Sequence, residues 1–584
     1  MRRNGKITMT NSASVPTEKP QNGIAGLKHL RHDILSGIVV SLVSLPLSSG
    51  IAIASGVPPI YGLISAIIAG LLFPFIGGAY MTISGPAAGL APALMAIMVS
   101  MGGAGDAEHV GAGYHHLLVI IFLVGCLQLI LALLKLARFA AIIPVSVVEG
   151  MLASIGLLIM VKQLPMLFGY TSKVHAHEFY EYVMECPEFA AHLTPPVFGV
   201  AIVTLALLFA LGMLARKFRI LQTIPPQLIA VVVGVILGQA VGLGSLEGGK
   251  FLIKLPETPF HGVSFPDFAG LIAHKELWYA AILGVITLTM IDGVESLATA
   301  LAIDRIDPFR RKSEPNRVLL AMAISNIASS MVGGLTIIPG GVKSKCNIAA
   351  GGRTLWANFT NAICLIIYLM IGQQWINMIP KGVLAAVLIF TGWKMCEPAV
   401  WRHMAKIGKE QLALFTFTVV VTLATDLLIG IIAGVVAKYF LNLLLCRRAA
   451  ATLNDEKASV FTNMVNFFRN PVARTSMEDR ILHLYLDKPL VCFNSMKIDE
   501  VLAKLPDDIR GVHLHLQTEV SIVDHTSCEA LHYLVESTAE SSVPVTVIGL
   551  DKMRRLSAHS SAVHVSGPAP SDSISPGPMA SPAV

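Results

Sequence analysis

Between Ser36 and Cys446 the chain alternates long apolar runs with short polar breaks. A helix rises 1.5 Å per residue, so about 20 apolar residues cross roughly 30 Å of hydrocarbon. Such runs are predicted near 36–54, 57–76, 83–101, 116–136, 141–161, 196–215, 224–241, 277–301, 316–333, 340–352, 356–372, 380–395, 411–425 and 427–446. That makes fourteen segments, some too short to span alone. The pattern changes after Arg448. Around 480–487 (RILHLYLD) and 511–517 (GVHLHLQ) apolar and polar residues alternate with period two, as in half-buried strands. Asp524–Ser541 then reads as a helix, Pro544–Ile548 as a short strand and Asp551–Leu556 as a basic helix. This order predicts a small α/β domain from about 475 to 557. The Ser-, Pro-, Ala- and Gly-rich residues 558–584 read as a disordered tail, and polar residues 1–30 as an N-terminal one.

Of the 584 residues 54% are apolar and only 14% charged, against roughly 25% charged in ordinary soluble domains. Too few charges remain to solvate a soluble surface or to neutralise a phosphate backbone, so a nucleic-acid partner is excluded and a lipid bilayer is expected. Lys and Arg total 43 against 37 Asp and Glu, and their placement matters more than the excess. One set of loops holds Lys28, Arg31, Lys135, Arg138, Arg216, Arg219, Arg305, Arg310, Arg311, Arg317, Arg353, Arg402 and Arg447. The opposite set, with Asp106, Glu108, Glu178, Glu181, Glu185 and Glu188, contains lysines but no arginine. The positive-inside rule then puts both termini in the cytoplasm, with the membrane being the inner one if the source is bacterial. The eight cysteines show no CxxC and no ligand-like spacing. No cofactor and no metal are expected.

Helices that merely anchor a protein have no need of glycine- and proline-rich breaks at membrane depth. Two segments contain them: Met81–Pro92 (MTISGPAAGLAP) and Gly333–Gly352 (GGLTIIPGGVKSKCNIAAGG). They are the third segment of the first seven and the third of the second seven, which an inverted-repeat transporter predicts. Two half-helices starting near the midplane would face each other with partial positive charge and free N–H groups, a site for an anion. Gly85, Gly89, Gly340 and Gly341 permit close backbone approach, and Pro86 suits an early helical position. Tight helix packing is the plain alternative for these glycines. Lys343, just inside the second half-helix, strengthens the anion reading, because a buried ammonium needs a wet cavity or a paired carboxylate. Lys345 can snorkel. Asp292 and Glu295, three residues apart in TLTMIDGVESLATALAID, share a helix side and are candidates for carrying a proton or holding a cation, or for a structural role. Asp426 reads as a cap or turn residue.

The stretches PLSSGIAIASGVPPIYGLISAIIAG (46–70), ISGPAAG (83–89), IGLLIMVKQLP (155–165), ESLATALAID (295–304) and NIAAGGRT (347–354) together resemble the sulfate permease (SulP) family of inorganic-anion transporters. The C-terminal segment is similar to a STAS domain, the sulfate transporter and anti-sigma factor antagonist fold. The resemblance implies an all-α polytopic membrane domain over 31–450, with fourteen segments in a 7+7 inverted repeat. Segments 1–4 and 8–11 would form a core domain and segments 5–7 and 12–14 a gate domain, with a small cytoplasmic α/β STAS-like domain attached, as a homodimer. It implies an anion held between segments 3 and 10 with help from segment 1, and hence candidate contacts at Ser48, Ser49, Ser84, Gly85, Ala87, Gly341, Lys343 and Ser344. Animal members carry a basic residue eight positions before the glycine pair of segment 10, and counting back from Gly351 reaches Lys343. Glu295 matches the segment-8 acidic residue, with Asp292 and Thr299 as companions in coupling.

In VSIVDHTSCEALHYL (520–534), Thr526 and Ser527 match the loop that antagonists phosphorylate, and a helix N-cap is the plainer reading of either. His513 and His515 share a strand face on which metal ligation competes with simple solvation. The expected function is secondary active transport of a small inorganic oxyanion, sulfate or bicarbonate foremost, without enzymatic chemistry. Proton-coupled symport or anion exchange by an elevator-like motion is expected, because no Thr stands at the start of segment 10 where sodium-coupled members need one. No GxxxxGK[ST] motif is present for ATP. The alternatives are a sodium-coupled bicarbonate or dicarboxylate transporter, a nucleobase carrier of shared architecture, and a membrane-tethered regulator whose STAS-like segment meets a cytoplasmic partner.

Overall fold

The computed structural model describes residues 19–105, 109–137, 143–170, 179–215, 217, 225–255, 263–425, 427–452, 460–502, 509–538 and 543–566. Asp106, Glu108, Arg138, Glu178, Arg216, Arg219 and Asp426 lie outside them. Each of the fourteen apolar runs is an element. They are α1 (Leu30–Ala54), α2 (Pro59–Ile76), β1 (Ile83–Pro86) with α3 (Ala91–Ser100), α4 (Tyr114–Leu133), α5 (Val145–Lys162), α6 (Pro195–Leu214) and α7 (Pro226–Ala240). The second half holds α8 (Trp278–Ile306), α9 (Pro315–Met331), β2 (Ile337–Gly340) with α10 (Gly341–Ala349), α11 (Trp356–Ile371), α12 (Lys381–Cys396), α13 (Lys409–Ala424) and α14 (Leu427–Thr452). Among the described residues eight helices are long and apolar enough to cross a membrane, and α3, α7 and α11 are shorter apolar helices. Proline opens α2, α6, α7 and α9 in the first turn, where its missing N–H has no helical partner to lose.

The helices pack as two bundles. In one, α1 lies on α2 and α11, α2 on α9, and α9 on α4, which also meets α8. In the other, α5 lies on α12 and α13, α12 on α6, α6 on α7, and α13 on α14. The first therefore collects segments 1–4 and 8–11 and the second segments 5–7 and 12–14, the division expected of a core and a gate. Where α1 crosses α12, Gly50 faces Leu384 and Leu388, and a Cβ there would meet Leu388 Cδ1 at 3.3 Å. The seam between bundles is apolar at this point.

Beyond α14 the chain forms a second, smaller unit. Strands β3 (Val472–Glu478), β4 (Ile481–Leu486), β5 (Gly511–Leu516) and β7 (Val545–Ile548) make one sheet in the order β3-β4-β5-β7. The β3–β4 pair is antiparallel and the other two are parallel. Helices α15 (Met496–Leu502) and α16 (His525–Thr538) cover one face, where Leu484, Leu486, Val512 and Leu514 pack with Ile498, Cys528 and Leu531. A three-stranded piece joins β6 (Ile522–Val523), β9 (His564–Val565) and β8 (Arg554–Arg555) in that order.

Two expectations fail here. The basic helix over 551–556 is instead a single 3-10 turn, Leu550–Lys552, followed by β8. A six-residue helix gains little over its nucleation cost unless packing supports it, whereas β8 finds a ready ladder on β9. The tail expected from 558 begins as structure: Val563 and Val565 are buried in a cluster with Leu445 and Cys446 of α14, Phe467, Cys492 and Ile522. Strand β3 and helix α15 were not legible in the sequence, nor was the helix Phe179–Ala191 in the loop after α5. β3 is an edge strand with mostly exposed residues, so it lacks the burial alternation that marks its neighbours.

Candidate functional site

The chain leaves helix at Ile83-Ser84-Gly85-Pro86 and again at Ile337-Ile338-Pro339-Gly340. Proline and glycine interrupt the helical ladder in both, and the freed backbone groups need partners, because water is absent from hydrocarbon. The two stretches supply them to each other. β1 pairs antiparallel with β2, with Ile83 opposite Gly340, Ser84 opposite Pro339, Gly85 opposite Ile338 and Pro86 opposite Ile337. Each strand then feeds a short helix, β2 directly into α10 and β1 through Ala87–Leu90 into α3.

Side chains from neighbouring helices satisfy what the two strands cannot. Asn358 of α11 accepts from Ser84 N at 2.8 Å and donates to Thr82 O at 2.6 Å. Asn347 of α10 donates to Met81 O at 2.9 Å. Ser344 accepts from Ile83 N at 2.9 Å and donates to Gly340 O at 2.6 Å, so its hydroxyl is a latch between β1 and α10. On the other strand Ile337 N donates to Asn326 Oδ1 at 2.7 Å, and Leu335 N to Ser65 Oγ at 2.6 Å. Asp33 of α1 accepts from Arg353 N, Thr354 N and Thr354 Oγ1 at 2.7, 3.0 and 2.6 Å, fixing the turn that precedes α11. Sequence reasoning missed Asn326, Asn347, Asn358 and Asp33. The available signal was a polar or charged side chain inside an apolar run, which is costly without a partner.

The side chains gathered at the crossing are mostly unsatisfied. Lys343 is 1% exposed, and its Nζ has no hydrogen-bond partner among the described residues. It occupies the space a Cβ on Gly85 would fill. Glu295 is buried, its Oε2 is also without a partner, and its carboxylate fills the space that a Cβ on Gly89 would take. The hydroxyls of Ser48 and Ser49 on α1, and of Thr82 and Ser84, are buried and unpaired as well. Ser48 and Ser49 follow Pro46, which interrupts the hydrogen bonding of α1. Ala87 is buried in the link to α3. Thr299 Cγ2 lies 3.9 Å from the Cβ position of Gly341, placing α8 against the first turn of α10.

Other candidates stand apart. Lys345 is exposed. Asp292 is fully buried, and its carboxylate accepts from Gln128 Nε2 at 2.7 Å, Asn326 Nδ2 at 3.0 Å and Ser296 Oγ at 3.4 Å. Asn326 thus joins Asp292 to β2, and Asp292 ties α8 to α4 and α9. Thr526 and Ser527 lie in the C-terminal unit. The cap of α16 is neither of them but Asp524, which accepts from Ser527 N at 2.8 Å. Thr526 Oγ1 accepts from Val145 N of α5 at 3.2 Å, and Ser527 Oγ is buried without a partner.

Asp524 itself is buried 3.4 Å from Lys438 Nζ on α14, close enough for an ion pair though too poorly aligned for a hydrogen bond. Burial would raise the Asp524 carboxyl, but the Lys438 ammonium and the amides of Ser527 and Cys492 outweigh it and hold it below the usual carboxylate range. Arg305 at the end of α8 meets Glu529 of α16 at 2.7 Å. The C-terminal unit therefore rests on α5, α8 and α14.

Known proteins share this fold. A model of the Sulfate permease family matches residues 30–419. The bicarbonate transporter BicA of Picosynechococcus sp. is 22% identical over 468 residues, which cover 80% of this chain and 79% of that protein. The solved transmembrane domain of a cyanobacterium bicarbonate transporter BicA superposes with a TM-score of 0.58 at 21% identity, covering 69% of this chain and 97% of that one. The overall structure of SLC26A9 superposes with a TM-score of 0.62 at 16% identity, covering 89% and 84%. The fold is that of these membrane proteins, and with a family model spanning most of its length the chain belongs to the sulfate permease family.

Proposed function

We propose that the chain is a secondary active transporter of a small inorganic oxyanion, sulfate or bicarbonate, bound where β1 crosses β2. The observation that carries this reading is Lys343: a buried ammonium with no hydrogen-bond partner among the described residues, beside Gly85 and among unpaired hydroxyls. On insertion scales a lysine at the bilayer centre costs about 2.5–3.5 kcal/mol, and a bound oxyanion with its own acceptor oxygens offsets that cost. The start of α10 adds its N–H groups and its dipole to the same place.

Coupling follows from charge balance. With Glu295 ionised and Lys343 charged, the site is neutral overall, and an anion entering it leaves a net negative charge in low dielectric. A proton on Glu295 restores neutrality with bicarbonate and halves the excess charge with sulfate, so anion and proton bind more tightly together than apart. Gly85 and Gly89, which face Lys343 and Glu295, lie one helical turn apart in sequence. The same fixed ammonium repels sodium, which supports proton symport or anion exchange over sodium coupling. The apolar seam at Gly50, Leu384 and Leu388 supports a core bundle that slides against the gate with the site aboard, because few polar contacts must break there. We propose a homodimer with cytoplasmic termini, in the inner membrane if the source is bacterial, and regulation through Thr526 or Ser527 only for a state in which the C-terminal unit lifts from α5.

The test is uptake of labelled sulfate and labelled bicarbonate into proteoliposomes of the purified protein, each in competition with the other. Accumulation driven by an inward proton gradient, or by counter-anion, is expected. Uptake that needs a sodium gradient and ignores pH would overturn the coupling, and uptake of neither anion would overturn the substrate class.

A further inference from the structure

The exposed face of the cytoplasmic sheet carries a cluster that transport does not use. β4 and β5 run parallel, with His483 directly beside His513 and Tyr485 beside His515. The intervening Leu482, Leu484, Val512 and Leu514 belong to the domain core, so the four rings stand on the opposite face. His483 Nδ1 and His515 Nε2 are 2.8 Å apart. Ring nitrogens of all three histidines lie within 4.8 Å of one another.

We propose that His483, His513 and His515 form a binding site for one divalent transition-metal ion of the zinc type. Neutral imidazole is the form that ligates metal. A zinc ion with Zn–N bonds of about 2.0–2.1 Å holds neighbouring nitrogens about 3.3 Å apart, so the His483–His515 pair opens from its 2.8 Å hydrogen bond while the other nitrogens, now within 4.8 Å, close up around the ion. Tyr485 stacks on His515 with ring centroids 4.7 Å apart and planes 15° from parallel, which fixes the orientation of that ring. Ser476 lies opposite His483 in the β3–β4 register, and its hydroxyl is buried with no partner. Glu478 follows two residues along the same face of β3 and supplies negative charge near His515. The set leaves a fourth position for water or a further ligand. Imidazole donors favour zinc, cobalt, nickel and copper over magnesium and calcium. The two sequence histidines, His513 and His515, would have made a weak site. The third donor comes from β4, 32 residues before His515, and only the parallel pairing brings it in.

The test uses untagged full-length protein in detergent with cobalt(II) as probe. The expected result is one equivalent of cobalt per chain with the visible absorption of four-coordinate cobalt, displaced by zinc and unaffected by magnesium. His483→Gln and His513→Gln should each weaken binding by at least about 10-fold, with melting in chelator unchanged from the wild type. Persistence of the full absorption in His513→Gln would overturn the proposal, as would failure of the wild type to retain cobalt on desalting. X-ray absorption at the zinc edge of the wild type needs no variant: imidazole scattering is expected, and a shell of oxygen alone would equally overturn it.

Discussion

β1 with α3 and β2 with α10 share one backbone plan, a four-residue strand running into a short helix, yet they divide the chemistry unequally. The second supplies the charge, through Lys343. The first supplies room, through Gly85, whose missing Cβ Lys343 replaces, and Gly89, whose missing Cβ Glu295 replaces. Their anchors differ as well. β1 is held by Ser344, Asn347 and Asn358 from segments 10 and 11, whereas β2 is held by Ser65 and Asn326 from segments 2 and 9. Two halves of similar topology therefore need not carry similar side chains. A site between them is complete only when one half leaves a gap and the other fills it.

The largest effect that tests this division is Lys343→Ala, which should weaken anion binding on the order of 100-fold, the usual cost of removing one member of a buried charged contact. Equilibrium binding of labelled anion to protein with an unchanged size-exclusion profile measures it, and unaltered affinity would break the comparison at its base. Gly85→Ala comes next. Its methyl must displace the ammonium, and overpacking of this kind costs about 1–3 kcal/mol. Gly341→Ala meets only Thr299, at ordinary contact distance, and should leave affinity within about 2-fold, since little strain arises there. Equal losses at the two glycines would show that room is not the contribution of the first half.

The anchors give smaller effects. Asn358→Ala leaves Ser84 N–H and Thr82 C=O unpaired and should lower stability by about 1–3 kcal/mol, read as a fall in thermal midpoint. Asn326→Ala should cost a similar amount by freeing Ile337 N–H. A loss at one and not the other would mean that the strands are not latched alike. The smallest effect lies at the contact outside the crossing. Because the Asp524 carboxyl is held below its usual range, its stabilising charge is present at all pH values above the unfolded value of about 3.9 and is lost only as pH falls through the lower folded one. The melting of the C-terminal unit should therefore be flat from about pH 6 to 8 in this respect and decline in strong acid. Lys438→Met should shrink that decline, because the folded value rises toward the unfolded one, and a profile unmoved by the substitution would remove the ion pair from the docking contact.

Much of the architecture was legible because lipid imposes a local rule. A helix in hydrocarbon satisfies its own backbone, so each apolar run declares itself without reference to its neighbours, and all fourteen appear as elements. The two breaks were legible for the same reason, since glycine and proline cannot be hidden in such a run. Asp292 shows where that legibility stops. In sequence it matches Glu295 as a buried carboxylate three residues away, but three donors from α4, α8 and α9 claim it, while Glu295 Oε2 has none. The short strands of the C-terminal unit were harder still. β8 and β9 have two residues each, too few for a periodicity to register.

The amino-acid order alone thus decided what lies in the membrane, where the helices break, and that a small α/β unit follows them, because burial in lipid and strand alternation are set residue by residue. Only the folded chain decided that β1 and β2 form a ladder, that Ser84 finds Asn358 across 274 residues, that Lys343 fits the gap at Gly85, and that His483 joins His513 and His515. Those facts depend on which distant segments meet and in what register, and the free energy of such a meeting belongs to the pair rather than to either stretch of sequence.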